Sequence, residues 1–172
     1  MCGIIGISSN KSVSANIINS LKKLEYRGYD SAGIATLFGG EINEVKSEGR
    51  LDNLEQNFDL KSLKGNIGIG HVRWATHGFP NSINAHPHSS DNVSVVHNGI
   101  IENSTILKKH LVNKGHTFKS QTDTEVIVHL ITENLKTMEL EEAITKTLKQ
   151  LHGSFALGII CLLYTSDAAD EY

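Results

Sequence analysis

The second residue is a cysteine, and an apolar, glycine-spaced run, Gly3-Ile4-Ile5-Gly6-Ile7, starts directly after it. Such a run reads as a buried strand over 3–8. Methionine is ordinarily trimmed before a residue as small as cysteine, so the mature chain is expected to begin at Cys2, with a thiol and a free α-amine on one residue. An α-amine has a pKa of about 7.7–8, close enough to working pH to serve as general base for its own thiol. That is the logic of an N-terminal nucleophile, whose first step is acyl transfer. Taken alone, an ordinary cysteine near a frayed end explains Cys2 better.

The rest of the chain alternates β-like runs with amphipathic stretches. Val13, Ile17, Ile18, Leu21 and Leu24 recur at helical spacing over 13–24, with Gly28 as a stop. Residues 33–38 and 41–47 form a predicted hairpin around Gly39-Gly40, and 66–74 and 93–98 read as further strands. A second helix is predicted over 104–113, stopping at Gly115. A third is predicted to start at Thr122, where Thr122-x-x-Glu125 has the form of a capping box, with Val126, Ile127, Leu130, Ile131 and Leu135 on its apolar face. A fourth covers about 139–151 with Leu140, Ala143, Ile144, Leu148 and Leu151 turned inward, and a last strand covers 154–163. The mixture predicts a layered α+β domain.

The 172 residues suffice for one domain with a real core. With a formal net charge of −3 and scattered Lys and Arg, nothing marks a nucleic-acid footprint or a membrane-surface patch. No apolar run approaches the ~20 residues that span a bilayer, and the N-terminus lacks the basic region of a signal peptide. The two cysteines, Cys2 and Cys161, lie far apart, so a reducing, cytoplasmic setting without a structural disulfide is expected. The acidic stretch Tyr164–Tyr172 continues none of the patterns and is expected to be foreign to the domain; a natural frayed terminus is the alternative.

Four groups of residues could carry chemistry. In 71–78, His-Val-Arg-Trp-Ala-Thr-His-Gly, Arg73 could clamp a carboxylate with two parallel hydrogen bonds, or be a surface arginine beside a half-buried Trp74. Asn98-Gly99 could be a type I′ turn, or could aim a side-chain amide and a backbone N–H at one spot as an oxyanion hole. Asp123, in the first turn of the third predicted helix, could complement the helix dipole or pair with a substrate ammonium. His86 and His88, with His71, His77 and His97, raise a metal site. No Cys or carboxylate completes a standard ligand spacing, and Pro87 sets two of the imidazoles on an extended segment, so hydrogen-bonding scaffolds are preferred. No glycine-rich phosphate loop is present.

Together, Cys2-Gly3-Ile4, EYRGYDSAG (25–33), HVRWATHG (71–78), NAHPH (84–88), VVHNGIIEN (95–103) and TDTEV (122–126) resemble the glutaminase domain of the glutamine–fructose-6-phosphate aminotransferases, members of the class II glutamine amidotransferases. The resemblance covers residues 1–160. It implies an N-terminal-nucleophile fold, a four-layer αββα sandwich with two antiparallel sheets, here incomplete. It implies Cys2 as nucleophile, Asn98 and Gly99 as oxyanion hole, Arg73 on the α-carboxylate of glutamine, Asp123 on its α-ammonium, and Thr76 and His77 lining the pocket. Trp74 would sit in a mobile loop that closes over the site, Arg27 beside the Cys2 terminus, and His86 in support of the pocket. It implies no cofactor and no metal, and a homo-oligomeric intact enzyme. That enzyme would pass ammonia to fructose 6-phosphate on a sugar-phosphate isomerase domain absent from this chain. Residues 161–172 are read as a tail that departs from the family, and Cys161 has no implied role. Alternatives are the glutaminase domain of a phosphoribosylpyrophosphate or asparagine-synthesising amidotransferase, a binding module without chemistry, and a fragment too short to act.

Overall fold

A computed structural model describes residues 2–60, 62–90 and 92–162. Met1 and all but the first two residues of the expected tail lie outside them.

The first sheet contains β1 (Gly3–Ser8), β2 (Ser31–Phe38), β3 (Glu41–Glu48) and β4 (Ile67–Arg73), in the order β1-β4-β2-β3 and antiparallel throughout. The second contains β5 (His88–Ser89), β6 (Val93–Ile101) and β7 (Gly153–Cys161), in the order β5-β6-β7 and also antiparallel. On the first sheet lie α1 (Ser14–Leu24) and the short α2 (Leu51–Asn57), which bury Ile17, Leu21, Leu51 and Leu54 with Ile34 and Val72. The second is covered by α4 (Glu125–Asn134), flanked by α3 (Ser104–Asn113) and α5 (Leu140–Gln150), in a core that includes Val93, Val95, Leu111, Ile127 and Ile131. Between the sheets Ala35, Ile69, Val96 and Ile160 form a thin apolar layer with Ile4, Ile42 and Ile67. The described residues therefore form the expected helix–sheet–sheet–helix sandwich, α+β in class.

Strand periodicity decides which side chains reach the seam between the sheets. Successive residues of a strand face opposite ways. On β4, Gly68, Gly70 and Val72 face α1, and a Cβ at Gly70 would lie 2.6 Å from Ile17 Cγ2. The alternate set, Ile67, Ile69, His71 and Arg73, is thereby turned to the second sheet. On β6 the same rule sends Val93, Val95 and His97 toward the helices and Val96 and Asn98 toward the first sheet.

Several sequence expectations need correction. The predicted hairpin forms, with Gly39 and Gly40 at φ 63° and 77° and Phe38 paired with Glu41. Gly115, at φ 92°, ends α3 as expected; its N–H reaches the Val112 carbonyl and the His116 N–H reaches Leu111. Gly28 does end the helical stretch, its N–H meeting the Glu25 carbonyl, but not as the direct stop of α1. Its backbone is extended, and a one-turn 3-10 helix, Glu25–Arg27, separates it from α1. The capping box does not form, because α4 starts at Glu125. That carboxylate reaches back instead to the N–H groups of Lys119 (2.8 Å) and Ser120 (2.7 Å), while Thr122 bonds to Ser120 and His88. On α5 the buried face is Ala143 and Thr147, and Leu148 is 40% exposed. Leu151, just past the helix, is buried as expected and Leu140 and Ile144 are partly buried; Thr147, about 100° around the helix from Leu148, takes the inward place expected of that leucine. Helix α2 and strand β5 have no counterpart in the sequence reading; β7 covers Gly153–Cys161, where the reading expected a strand over 154–163.

Candidate active site

Register sets the position of Cys2. Gly3 pairs with Val72, so the residue before β1 falls beside the end of β4. The Trp74 N–H donates to Cys2 Sγ at 3.2 Å, and the thiol lies 3.4 Å from the Trp74 carbonyl. Two side chains fix the Cys2 carbonyl: Arg27 Nε at 3.2 Å and Asn98 Nδ2 at 3.1 Å. Arg27 reaches it because the extra turn after α1 passes close under β4. A Cβ on Gly28 would sit 2.6 Å from the Arg73 carbonyl carbon, an approach that only glycine permits.

Cys2, Arg27, Arg73, Trp74, Thr76, His77, His86, Asn98, Gly99 and Asp123 all line one cavity of about 480 Å³. Each sequence-predicted site residue is therefore at the same place. Arg73 is not a surface arginine, being 2% exposed. Its guanidinium donates to the carbonyls of Phe79, at 3.3 Å, and of His77, and so holds the loop after β4. Burial lowers its pKa, and the nearby Cys2, Asp30 and Asp123 oppose that shift. A guanidinium has five N–H donors, so contacts to two carbonyls leave others for an anion in the cavity. Asp123 lies just ahead of α4 rather than in its first turn, and accepts the Ile101 N–H at 2.8 Å. That bond ties it to the end of β6 and leaves the other carboxylate oxygen for a cation. Arg73 and Asp123 thus bring opposite charges to a single cavity, as an amino acid's two charged ends require.

Asn98-Gly99 is not a turn. Both residues lie inside β6, paired with Ala156 and Phe155 of β7. Gly99 has φ 127°, and a Cβ there would lie 2.0 Å from the Ser154 carbonyl oxygen, so the close pairing excludes any side chain. Trp74 packs edge-on against Tyr29, ring centroids 5.3 Å apart, and Thr76 Oγ1 is 3.4 Å from His77 Nδ1.

The sequence reading passed over several residues that hold the site. Asp30 accepts the Ala75 N–H at 2.6 Å and anchors the loop carrying Trp74, Thr76 and His77. The Thr124 hydroxyl bridges His86 Nε2 (2.7 Å) and His97 Nδ1 (2.9 Å), and Thr122 meets His88 Nε2 at 2.9 Å. Asp30 and Thr124 fall within conspicuous runs, 25–33 and 122–126, which was the available signal. The His86–Pro87 peptide is cis, and the rings of His86 and His88 pack edge-on with centroids 4.9 Å apart. Burial holds His71 and His88 neutral, with pKa values pushed down to about 3, and lowers His86 well below the usual value.

Residues 73–163 match the family described as "Glutamine amidotransferase domain". The chain is 54% identical over 161 residues to the glutamine–fructose-6-phosphate aminotransferase (isomerizing) of Mesorhizobium japonicum, and 53% identical over 163 residues to that of Pyrococcus horikoshii. Both alignments cover 93% of this chain but only 26% and 27% of the relatives, so the chain spans about a quarter of their length. Among solved structures, the glutamine phosphoribosylpyrophosphate amidotransferase of B. subtilis superposes with a TM-score of 0.82 at 32% identity, covering 94% of this chain and 35% of that one. A glutamine aminotransferase class-II domain protein from Silicibacter pomeroyi shares the fold at a TM-score of 0.65 and 13% identity, covering 92% of this chain and 72% of that one.

Proposed function

The chain belongs to the glutamine amidotransferase domain family, and from that premise we propose that it hydrolyses the side-chain amide of glutamine through a thioester on Cys2. The observation that carries this reading is the meeting of Cys2, Asn98, Arg73 and Asp123 at one cavity. With Met1 removed, the Cys2 α-amine takes the thiol proton and Sγ attacks the amide carbon. The oxyanion that forms is held by the Asn98 amide and the Gly99 N–H. The intermediate collapses with the proton passed to the departing nitrogen, which leaves as ammonia. Water then attacks the thioester, releasing glutamate and restoring the thiol. Arg73 holds the α-carboxylate and Asp123 the α-ammonium, and Thr76, His77 and Trp74 close the mouth of the cavity.

In the longer protein the ammonia is delivered to fructose 6-phosphate by parts beyond this chain, in a cytoplasmic homo-oligomer that needs neither nucleic acid nor membrane. Identity of 54% to a glutamine–fructose-6-phosphate aminotransferase, against 32% to the phosphoribosylpyrophosphate enzyme, favours this over a phosphoribosylpyrophosphate-type amidotransferase of the same class. Residues 1–160 carry the glutaminase unit in this proposal, and 161–172 stand outside it. Glutamate and ammonia release in equal amounts from glutamine is the test. Cys2→Ser should lose nearly all turnover, as should chains whose mass shows Met1 retained, because an acylated nitrogen cannot act as base. Full activity with Met1 in place refutes the mechanism.

A further inference from the structure

His71 stands out because packing does not account for it. It is 0% exposed, its Nδ1 has no partner among the described residues, and an apolar side chain would fill the same space without burying an unpaired nitrogen. Its other nitrogen, Nε2, lies 3.1 Å from the His97 carbonyl oxygen and 3.0 Å from Asn98 Oδ1. A carbonyl only accepts, so Nε2 must carry the hydrogen. A donor at Nε2 in turn requires the oxygen of the Asn98 amide to face the ring, and so turns the NH₂ toward Cys2, whose carbonyl it meets at 3.1 Å.

We propose that His71 is a positioning residue for the reaction: its Nε2–H fixes the Asn98 amide so that donors, not the carbonyl oxygen, face the reacting carbon. Without it the amide could rotate by half a turn and present a lone pair to the oxyanion. Burial keeps the ring neutral, with the pKa pushed down to about 3, so the Nε2–H tautomer persists at any pH at which the protein works. The His86 ring, 4.3 Å away, packs edge-on against it and holds its plane.

The inference rests on the oxyanion role given to Asn98 above, and one mutant cycle separates the two. His71→Phe keeps a ring of similar shape and removes the donor. Its turnover number should fall roughly tenfold to a hundredfold with KM within about twofold, because the loss bears on the transition state. His71→Gln, which restores an N–H at similar reach, should recover to within about fivefold of the parent. In an Asn98→Ala background His71→Phe should cost nothing further. Alkylation of Cys2 by iodoacetamide, which forms no oxyanion, should proceed at the parent rate in His71→Phe. If the phenylalanine variant does not fold, His71→Met replaces it as the side chain without a donor. Additive losses in the double variant, equal losses in Gln and Phe, or alkylation that falls with turnover would each overturn the proposal. Unchanged turnover in Asn98→Ala alone would instead remove the oxyanion role on which it stands.

Discussion

At the residue scale, Arg73 and Asp123 differ in what else they hold. The Asp123 carboxylate accepts the Ile101 N–H, and an amide oxygen can accept it equally. Asp123→Asn should therefore leave the folded structure and its unfolding midpoint nearly unchanged. It should weaken glutamine binding by about 1.5–3 kcal/mol, the usual worth of a charged hydrogen bond. Arg73 also ties down the His77 and Phe79 carbonyls. Arg73→Lys should lose those ties along with the two-pronged contact to the substrate. Its KM rise should be accompanied by faster protease cleavage in 74–80, which Asp123→Asn should not show. Equal cleavage in both variants, or parent-like binding in Asp123→Asn, contradicts these assignments. The distinction was invisible in the sequence, because loop carbonyls carry no sequence signature.

At the scale of elements, what the sequence revealed tracks how local its cause is. Strands β1 and β4, the Gly39-Gly40 hairpin and helix α3 with its Gly115 end follow from spacing and turn chemistry within a few residues. The start of α4 does not. Glu125 has the right spacing from Thr122 for a capping box, yet its carboxylate is claimed by the N–H groups of Lys119 and Ser120 and by the Ser120 hydroxyl at 2.6 Å. Burial alone would raise its pKa; those hydrogen bonds and the His129 ring 3.6 Å away pull it down to about 2. Helix α2 is similarly non-local: its first N–H, at Leu51, is met by the Glu25 carboxylate at 2.7 Å, a residue 26 positions earlier. The candidate site was legible as residue types but not as supports, since Asp30, His71 and Thr124 act through contacts that only the folded chain creates. Glu125→Gln keeps the shape and loses the charge on two backbone donors. It should lower the unfolding free energy by about 1–3 kcal/mol, measured by urea denaturation near neutral pH. No change would show that α4 does not depend on this contact.

At the scale of the whole molecule, the seam between the sheets combines buried imidazoles with the chemistry. His71, His86 and His88 stay neutral when folded, with pKa values below the ordinary 6.5, but take up protons when unfolded. The unfolded chain therefore binds more protons at acid pH, and stability falls as pH drops below about 6.5. Three such groups remove about 4 kcal/mol per pH unit. Urea midpoints at pH 7.5 and 5.5 should differ accordingly, and a flat profile would mean these rings are protonated in the native state. The seam has a second consequence. The first sheet is drawn wholly from residues 3–73 and the second from 88–161. Cys2 and Arg73 belong to one stretch, and Asn98, Gly99 and Asp123 to the other. Neither stretch inherits a usable chemistry of its own. A substitution in one is judged by its fit to its counterpart, so halves exchanged between relatives should both fold and yet fail to work unless their facing residues have diverged together.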